Sequence, residues 1–382
     1  MRSLRARRAL GAQFTLLVIA VAAAGALPAR SQNLPTRLSS QEFWQLVTDI
    51  SEVGGEFRSD NFVSNEVTYQ YVIPELVRGR SPGGVYLGVG PDQNFTYIVA
   101  MRPRIAFIVD IRRQAVMQHL MYKALIELSP DRATFLSMLF ARPRPPGLAP
   151  GATPEELFQA FYTTSEDSVA YWRHLKAIKD RLTKRHGFTL APDDSSNIDY
   201  IYTSFYVAGP DITYNYGSGR GGYGRGMPTY SQLMIENDGN GLNRSYLANE
   251  EHYQTLRQMH LRNLIVPVVG DFAGDKAIRG IGRYLRKHGA TVSAVYTSNV
   301  EQYLFQSVDN WKRYYDNIAT LPIDSTSTFV RAVFSGAGFR TSMSGQYGPR
   351  SMTLLCSIEE LLREFREGRL FSYQQVVAMS RN

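Results

Sequence analysis

From residue 83 onward, short runs of continuous apolar residues alternate with longer segments whose apolar positions recur every three or four residues. GVYLGVG at 84–90 is too short and too apolar for a surface helix and predicts a buried strand. Residues 92–101 predict a helix stopped before Pro103, and RIAFIVD at 104–110 a second buried strand. Over 113–128, polar and apolar residues alternate at about 3.6, which predicts a second helix. The β-α-β-α order implies a parallel sheet with covering helices. It resumes near residue 250 with a helix over NEEHYQTLRQMHLRN, a strand at 264–271 (LIVPVVGD) and a helix ending at Gly289. A strand at 291–299 (TVSAVYTSN), one helix from Val300 to about Ile318 and a last strand at 327–335 follow.

Upstream, SSQEFWQLVTDISE at 39–52 starts on serine and carries apolar residues at helical spacing, which predicts a capped amphipathic helix. The middle differs: ARPRPPGLAPGATP at 141–154 is a Pro/Gly linker, and 154–186 is charged and helical. A tyrosine- and glycine-rich stretch follows at 209–228, long enough for either a lid or a disordered segment. We read 34–140 and 251–382 as two halves of one α/β domain, a three-layer sandwich around a mostly parallel sheet, and 141–250 as an α-rich insertion.

The glycines and acid at the strand ends suggest chemistry. In open α/β sheets, ligands bind beyond the carboxyl ends of strands, near the point where strand order reverses. Gly88 and Gly90 would let backbone approach a ligand, and the following helix, opening at Gln93 and Asn94, would offer free N–H groups. Asp110, twenty-two residues past Gly88, could accept from a ribose diol, with Arg112 beside it. The alternative is structural: the glycines make a tight turn, and Asp110 caps a helix or pairs with Arg112 or Arg113.

Other polar clusters sit near strand ends. FRSDNFVSNE at 57–66 offers Asp60, Asn61 and Asn65 as substrate contacts, or as turn and cap residues. Glu66, in a more apolar context, is the candidate general base. Asp271 could bind a ligand amine or deprotonate a substrate, or it or Asp275 could cap the next helix. Tyr296, Ser298 and Asn299 end a strand, with capping by Ser298 or Asn299 as the alternative. His252 and His260 lie eight apart with no carboxylate at zincin spacing, and no metal site is expected. No nucleophile elbow or Walker motif occurs.

Here the chain resembles Rossmann-like methyltransferases. VYLGVGPDQ is similar to their first strand with its glycine motif, IAFIVDIR to their second strand with its terminal acid, and LIVPVVGDFAG and VSAVYTSNVEQYL to their fourth and fifth strands. More narrowly, FRSDNFVSNE, GPDQNFTYI, VDIRR and SNVEQYLF resemble a bacterial family of uncharacterised proteins with this fold. The resemblance spans roughly residues 83–130 and 255–335 and implies S-adenosylmethionine as cofactor, with no methyl acceptor named. The glycine motif lacks the third glycine that a dinucleotide pyrophosphate would want.

Composition narrows the rest. With 382 residues, 44% of them apolar, material for a core is ample, and the net charge of +8 comes from scattered arginines rather than a nucleic-acid stripe. The single cysteine, Cys356, excludes an internal disulfide and reads as a buried small hydrophobe. Residues 1–33 have the basic, apolar and small-residue regions of a signal peptide, with an uncleaved anchor as the alternative. The expectation is an exported protein, periplasmic or secreted, touching a membrane only through that segment if it is uncleaved. A small molecule is the expected partner.

Overall fold

The computed structural model describes residues 33–215, 227–334 and 351–381. Residues 1–32, on which the expectation of a signal peptide falls, and most of the tyrosine-glycine loop (216–226) lie outside them. Six strands form one sheet: β1 (Val85–Gly88), β2 (Ile105–Asp110), β3 (Ile265–Val269), β4 (Val292–Ser298), β5 (Thr328–Phe334) and β6 (Ser351–Ser357). Their order is β3-β2-β1-β4-β5-β6. The first five pair in parallel, and β6 runs antiparallel to β5 from Thr328↔Ser357 to Phe334↔Ser351. Every residue of β1, β2 and β3 is buried, as expected of strands covered on both faces, and this is why their sequences are continuous apolar runs. From β1 the chain first builds outward through β2 to β3, then returns to the other side of β1 as β4. The strand order therefore reverses between β1 and β4.

Several expectations need correction. Residues 265–269 and 292–298 are the third and fourth strands, not the fourth and fifth, because the described residues between Asp110 and Ile265 contain helices and no further strand. The strand at 328–334 is not the last: Ser351–Ser357, which contains the buried Cys356, adds an edge beyond it. The helix expected from Val300 breaks into Val300–Leu304 and Val308–Ile318, because Phe305 folds back to stack on Trp311 with ring centroids 4.9 Å apart. The charged stretch at 154–186 divides where Asp167 accepts from Ala170 N and caps a second helix. Residues 132–140 and 192–208, without an assigned element from sequence, are helices.

The helix Arg113–Leu128 is buried almost all round, although its sequence reads as amphipathic. Helices 132–140 and 192–208 pack on the side expected to meet water. Gln118 and Lys123 of the helix Arg113–Leu128 are therefore satisfied internally. Gln118 donates to the Phe62 carbonyl, and Lys123 donates to Glu127, Asn263 and the His260 carbonyl. His260 is itself buried, its ring edge-on to Phe95, not solvent-facing. Among the described residues, no helix is long and apolar enough to cross a membrane.

Candidate functional site

Four strand tips and one loop meet at a single cleft of about 160 Å³ at the β1/β4 reversal. After β1 come Val89, Gly90, Pro91 and Gln93; after β2, Asp110, Ile111 and Arg112; after β3, Asp271 and Phe272; after β4, Ser298, Asn299, Val300, Tyr303 and Leu304. The loop ahead of β1 adds Phe57, Asn61, Ser64, Asn65 and Glu66, and Tyr214 completes the wall. Parallel strands all end on the same side, so loops distant in sequence converge there.

Glu66 is the chemical centre of the cleft. Its carboxyl is buried, with Oε1 accepting from Tyr296 Oη at 2.6 Å and from Ser298 Oγ at 2.5 Å, and Oε2 has no partner. Burial lifts its pKa from 4.5 to about 7, against the downward pull of those two hydroxyls. Strand β4 supplies both: Thr297 is an extra residue in its pairing with β5, and Ser298 ends the strand at φ 50°. Tyr296 is fully buried and receives a bond from Gln93 Nε2 at 3.0 Å. It positions Glu66 and Gln93 instead of lining the cleft as a substrate contact. Gln93 does line the cleft, and its Oε1 is buried without a partner.

The glycine loop is held by its own side chains. A Cβ on Gly88 would lie 1.9 Å from Asn94 Oδ1 and 2.8 Å from the Tyr86 ring, so Gly88 makes room for protein, not ligand. Asn94, also expected to face a cofactor, spends its polar atoms internally. Its Nδ2 donates to the carbonyls of Val89, Gly90 and Pro91, and its Oδ1 accepts from Tyr86 Oη. Gly90, at φ 79°, lines the cleft and turns its carbonyl to His119 Nε2 at 2.9 Å. Burial lowers the His119 pKa to about 4, so at neutral pH the ring is uncharged, with the proton on Nε2.

Asp110 lines the cleft but is already engaged. Arg112 donates to Oδ1 from its backbone N and Nε and to Oδ2 from Nη2, at 2.9–3.0 Å. Arg112 Nη1 reaches the Ser59 and Asp60 carbonyls and ties the 57–66 loop to this pair. A carboxylate has about four acceptor positions. Three are filled, which leaves one at Oδ2 and not the two a ribose diol would use.

Asp60 stays outside the cleft wall, where Tyr200 Oη donates to its Oδ1 at 3.2 Å. Asn61 and Asn65 are on the wall. Asp271 is also there, its Oδ1 accepting from Ala273 N. Neither it nor Asp275 caps the following helix. Glu52, just past the first helix (Ser40–Ile50), takes the backbone N–H groups of Asp271, Lys276 and Ala277, a role with no local sequence signal. Asn299 sits at the N-cap of Val300–Leu304 without a side-chain capping bond, which leaves its amide on the cleft wall. Phe57 and Tyr303, unremarked in the sequence, meet edge to face at 5.3 Å across the cleft wall, and both are partly exposed. Among the described residues, no group of three or more His, Cys, Asp or Glu could hold a metal ion.

The profile of a domain of unknown function, DUF7790, matches residues 61–349. The chain belongs to the DUF7790 family. The match takes in all four strand-tip loops and Glu66, whereas Phe57 precedes it. No curated protein matches the chain.

Proposed function

We propose that the cleft binds a small molecule carrying one ring system, with S-adenosylmethionine or a related nucleoside as the best-matched class. The scaffold would be Rossmann-like and of the methyltransferase type, a three-layer sandwich. The observation that carries this reading is the meeting of four strand-tip loops with a buried, half-ionised Glu66 at the reversal of strand order. A cavity near 150 Å³ holds a benzene-sized guest. The cleft volume of about 160 Å³ thus suits a ring, and the rest of the ligand would lie against Phe57 and Tyr303. Unpartnered acceptors on Gln93 and Glu66 suit donors such as an exocyclic amine or a hydroxyl. Glu66, with a pKa near ambient pH, could take a proton from an acceptor substrate, with Asp271 as the second carboxylate on the wall.

A second reading has its own support. The filled space at Gly88 and the single acceptor left on Asp110 fit a methyltransferase cofactor poorly. Together with the signal-like pattern of residues 1–33, they favour an exported, non-catalytic binding protein on the same scaffold. Calorimetric titration with S-adenosylmethionine, S-adenosylhomocysteine, adenosine and a nicotinamide dinucleotide separates the two. The first reading expects sub-millimolar binding of an adenosine compound, weakened about tenfold by Gln93→Leu. Absence of binding by all four ends it. Cell fractionation with N-terminal sequencing tests export.

A further inference from the structure

The opposite end of the first helix, Ser40–Ile50, carries a cluster unrelated to the cleft. Glu52, just past its C-terminus, serves the strand-tip loops, and Ser40 lies about 16 Å away along the helix axis. Ser40 Oγ is 2.8 Å from His186 Nδ1, and His186 Nε2 is 2.8 Å from Glu127 Oε2. We propose that Ser40, His186 and Glu127 are a nucleophile, base and orienting acid that hydrolyse small carboxylic esters.

The protonation pattern follows from the partners. Burial would raise the Glu127 pKa, but the bond from His186 and the charge of Lys123, 2.6 Å from Oε1, overcome it and hold the carboxyl at about 2. An ionised carboxylate only accepts, so in the neutral ring Nε2 carries the proton. The Nδ1 lone pair is then left to accept from the Ser40 hydroxyl. The ring plane is fixed as well: His186 stacks on Phe188 at 4.9 Å and 16°, and Phe188 stacks on Trp44 at the same distance and angle. This is the relation that defines an activated serine, recognised by roles and distances rather than by sequence order.

Ser40 is also placed to stabilise an oxyanion. Ser39 and Glu42 form a capping box that uses their own backbone N–H groups. The N–H groups of Ser40 and Gln41, first in the helix, have no intrahelical acceptor and lie at the positive end of its dipole. Such donors suit the charge on a tetrahedral intermediate. An open groove of about 480 Å³ faces this point, walled by Gln41, Trp44, Gln45, Thr48 and Gly187. With no cationic side chain among them and one indole, it suits a small neutral ester.

In the reaction, Ser40 Oγ bonds to the carbonyl carbon while its proton passes to His186 Nδ1. Collapse of the adduct breaks the ester C–O bond, and the alkoxide leaves with that proton as an alcohol. Water then gives a proton to Nδ1, attacks the acyl-serine, and releases the carboxylic acid with the serine hydroxyl restored.

The test uses p-nitrophenyl acetate with the purified protein, read by nitrophenol release and by mass spectrometry of quenched samples. The expected result is one acetyl group on the Ser40 peptide and turnover that falls by roughly a hundredfold or more in Ser40→Ala and His186→Gln. Ser40→Ala keeps the Ser39 cap, and circular dichroism verifies its fold. Ser196→Ala, an exposed serine on another helix, leaves turnover unchanged. If His186→Gln does not fold, labelling of the wild type by a fluorophosphonate probe, suppressed by the acetate ester, replaces it. No acetyl or phosphonyl adduct at Ser40, or unchanged turnover in Ser40→Ala, overturns the proposal.

Discussion

Glu66→Gln isolates the cost of keeping a carboxylate buried at the cleft. In the folded protein, Glu66 titrates near 7 rather than 4.5. One pKa unit corresponds to about 1.4 kcal/mol, so the shift is worth about 3 kcal/mol. The sign is fixed by linkage: the folded pKa is raised, so the folded state holds the proton more tightly. Below pH 4.5 the side chain is neutral in both states and carries no penalty. As pH rises toward 7 the unfolded chain ionises first and stability falls; above 7 the full penalty is present. Glutamine is neutral throughout and keeps an oxygen for Tyr296 and Ser298. The stability difference, variant minus wild type, should therefore shift by about 3 kcal/mol in favour of the variant between pH 4.5 and 8.5. Any fixed cost of a buried amide N–H cancels in that comparison. Asp92, also lifted by burial to about 7, titrates in both proteins and cancels too. Urea unfolding followed by circular dichroism at the two pH values measures the shift. A difference that does not change with pH would refute the reasoning.

Gly88→Ala should lower stability by roughly 1–3 kcal/mol, because the new methyl displaces Asn94 from the carbonyls it holds. Unchanged urea stability would instead return Gly88 to a ligand-facing role. Asp110→Ala leaves Arg112 buried beside backbone carbonyls alone and should cost roughly 3–5 kcal/mol, read in the same assay. Tyr296→Phe removes a hydroxyl that favours the Glu66 carboxylate, so the upper end of the pH window over which stability falls should move upward while its lower end stays near 4.5, as measured by unfolding across pH 4–9.

The parallel sheet was legible in the sequence because strands buried on both faces read as near-continuous apolar runs, as β1, β3 and β2 up to Asp110 do. Their ordinal places were not legible: nothing local states that the described residues between 110 and 265 contain no strand. The helix Arg113–Leu128 shows a further limit. Periodicity marks a polar stripe at Lys123 and Glu127, four residues apart, but only tertiary structure decides whether that stripe meets water or other helices. At the cleft, position in the chain pointed to Gly90, Gln93, Asp110, Asp271, Ser298 and Glu66, since strand tips and their loops must converge. The pairing of Asp110 with Arg112 stood among the alternatives and is the one observed, but which alternative each site takes was hidden. Asp110 and Arg112 are adjacent enough to pair, Gly88 is as suited to an asparagine neighbour as to a ligand, and Glu52 acts across more than two hundred residues. The contact of Ser40 with His186, 146 positions apart, carries no spacing signature at all.

Photolabelling with an azidoadenosine, mapped by mass spectrometry with and without excess S-adenosylmethionine, tests the cleft most directly. The account predicts protectable label on peptides containing Phe57, Tyr214 or Tyr303. Label confined to other surfaces, or label that excess ligand does not suppress, would contradict it.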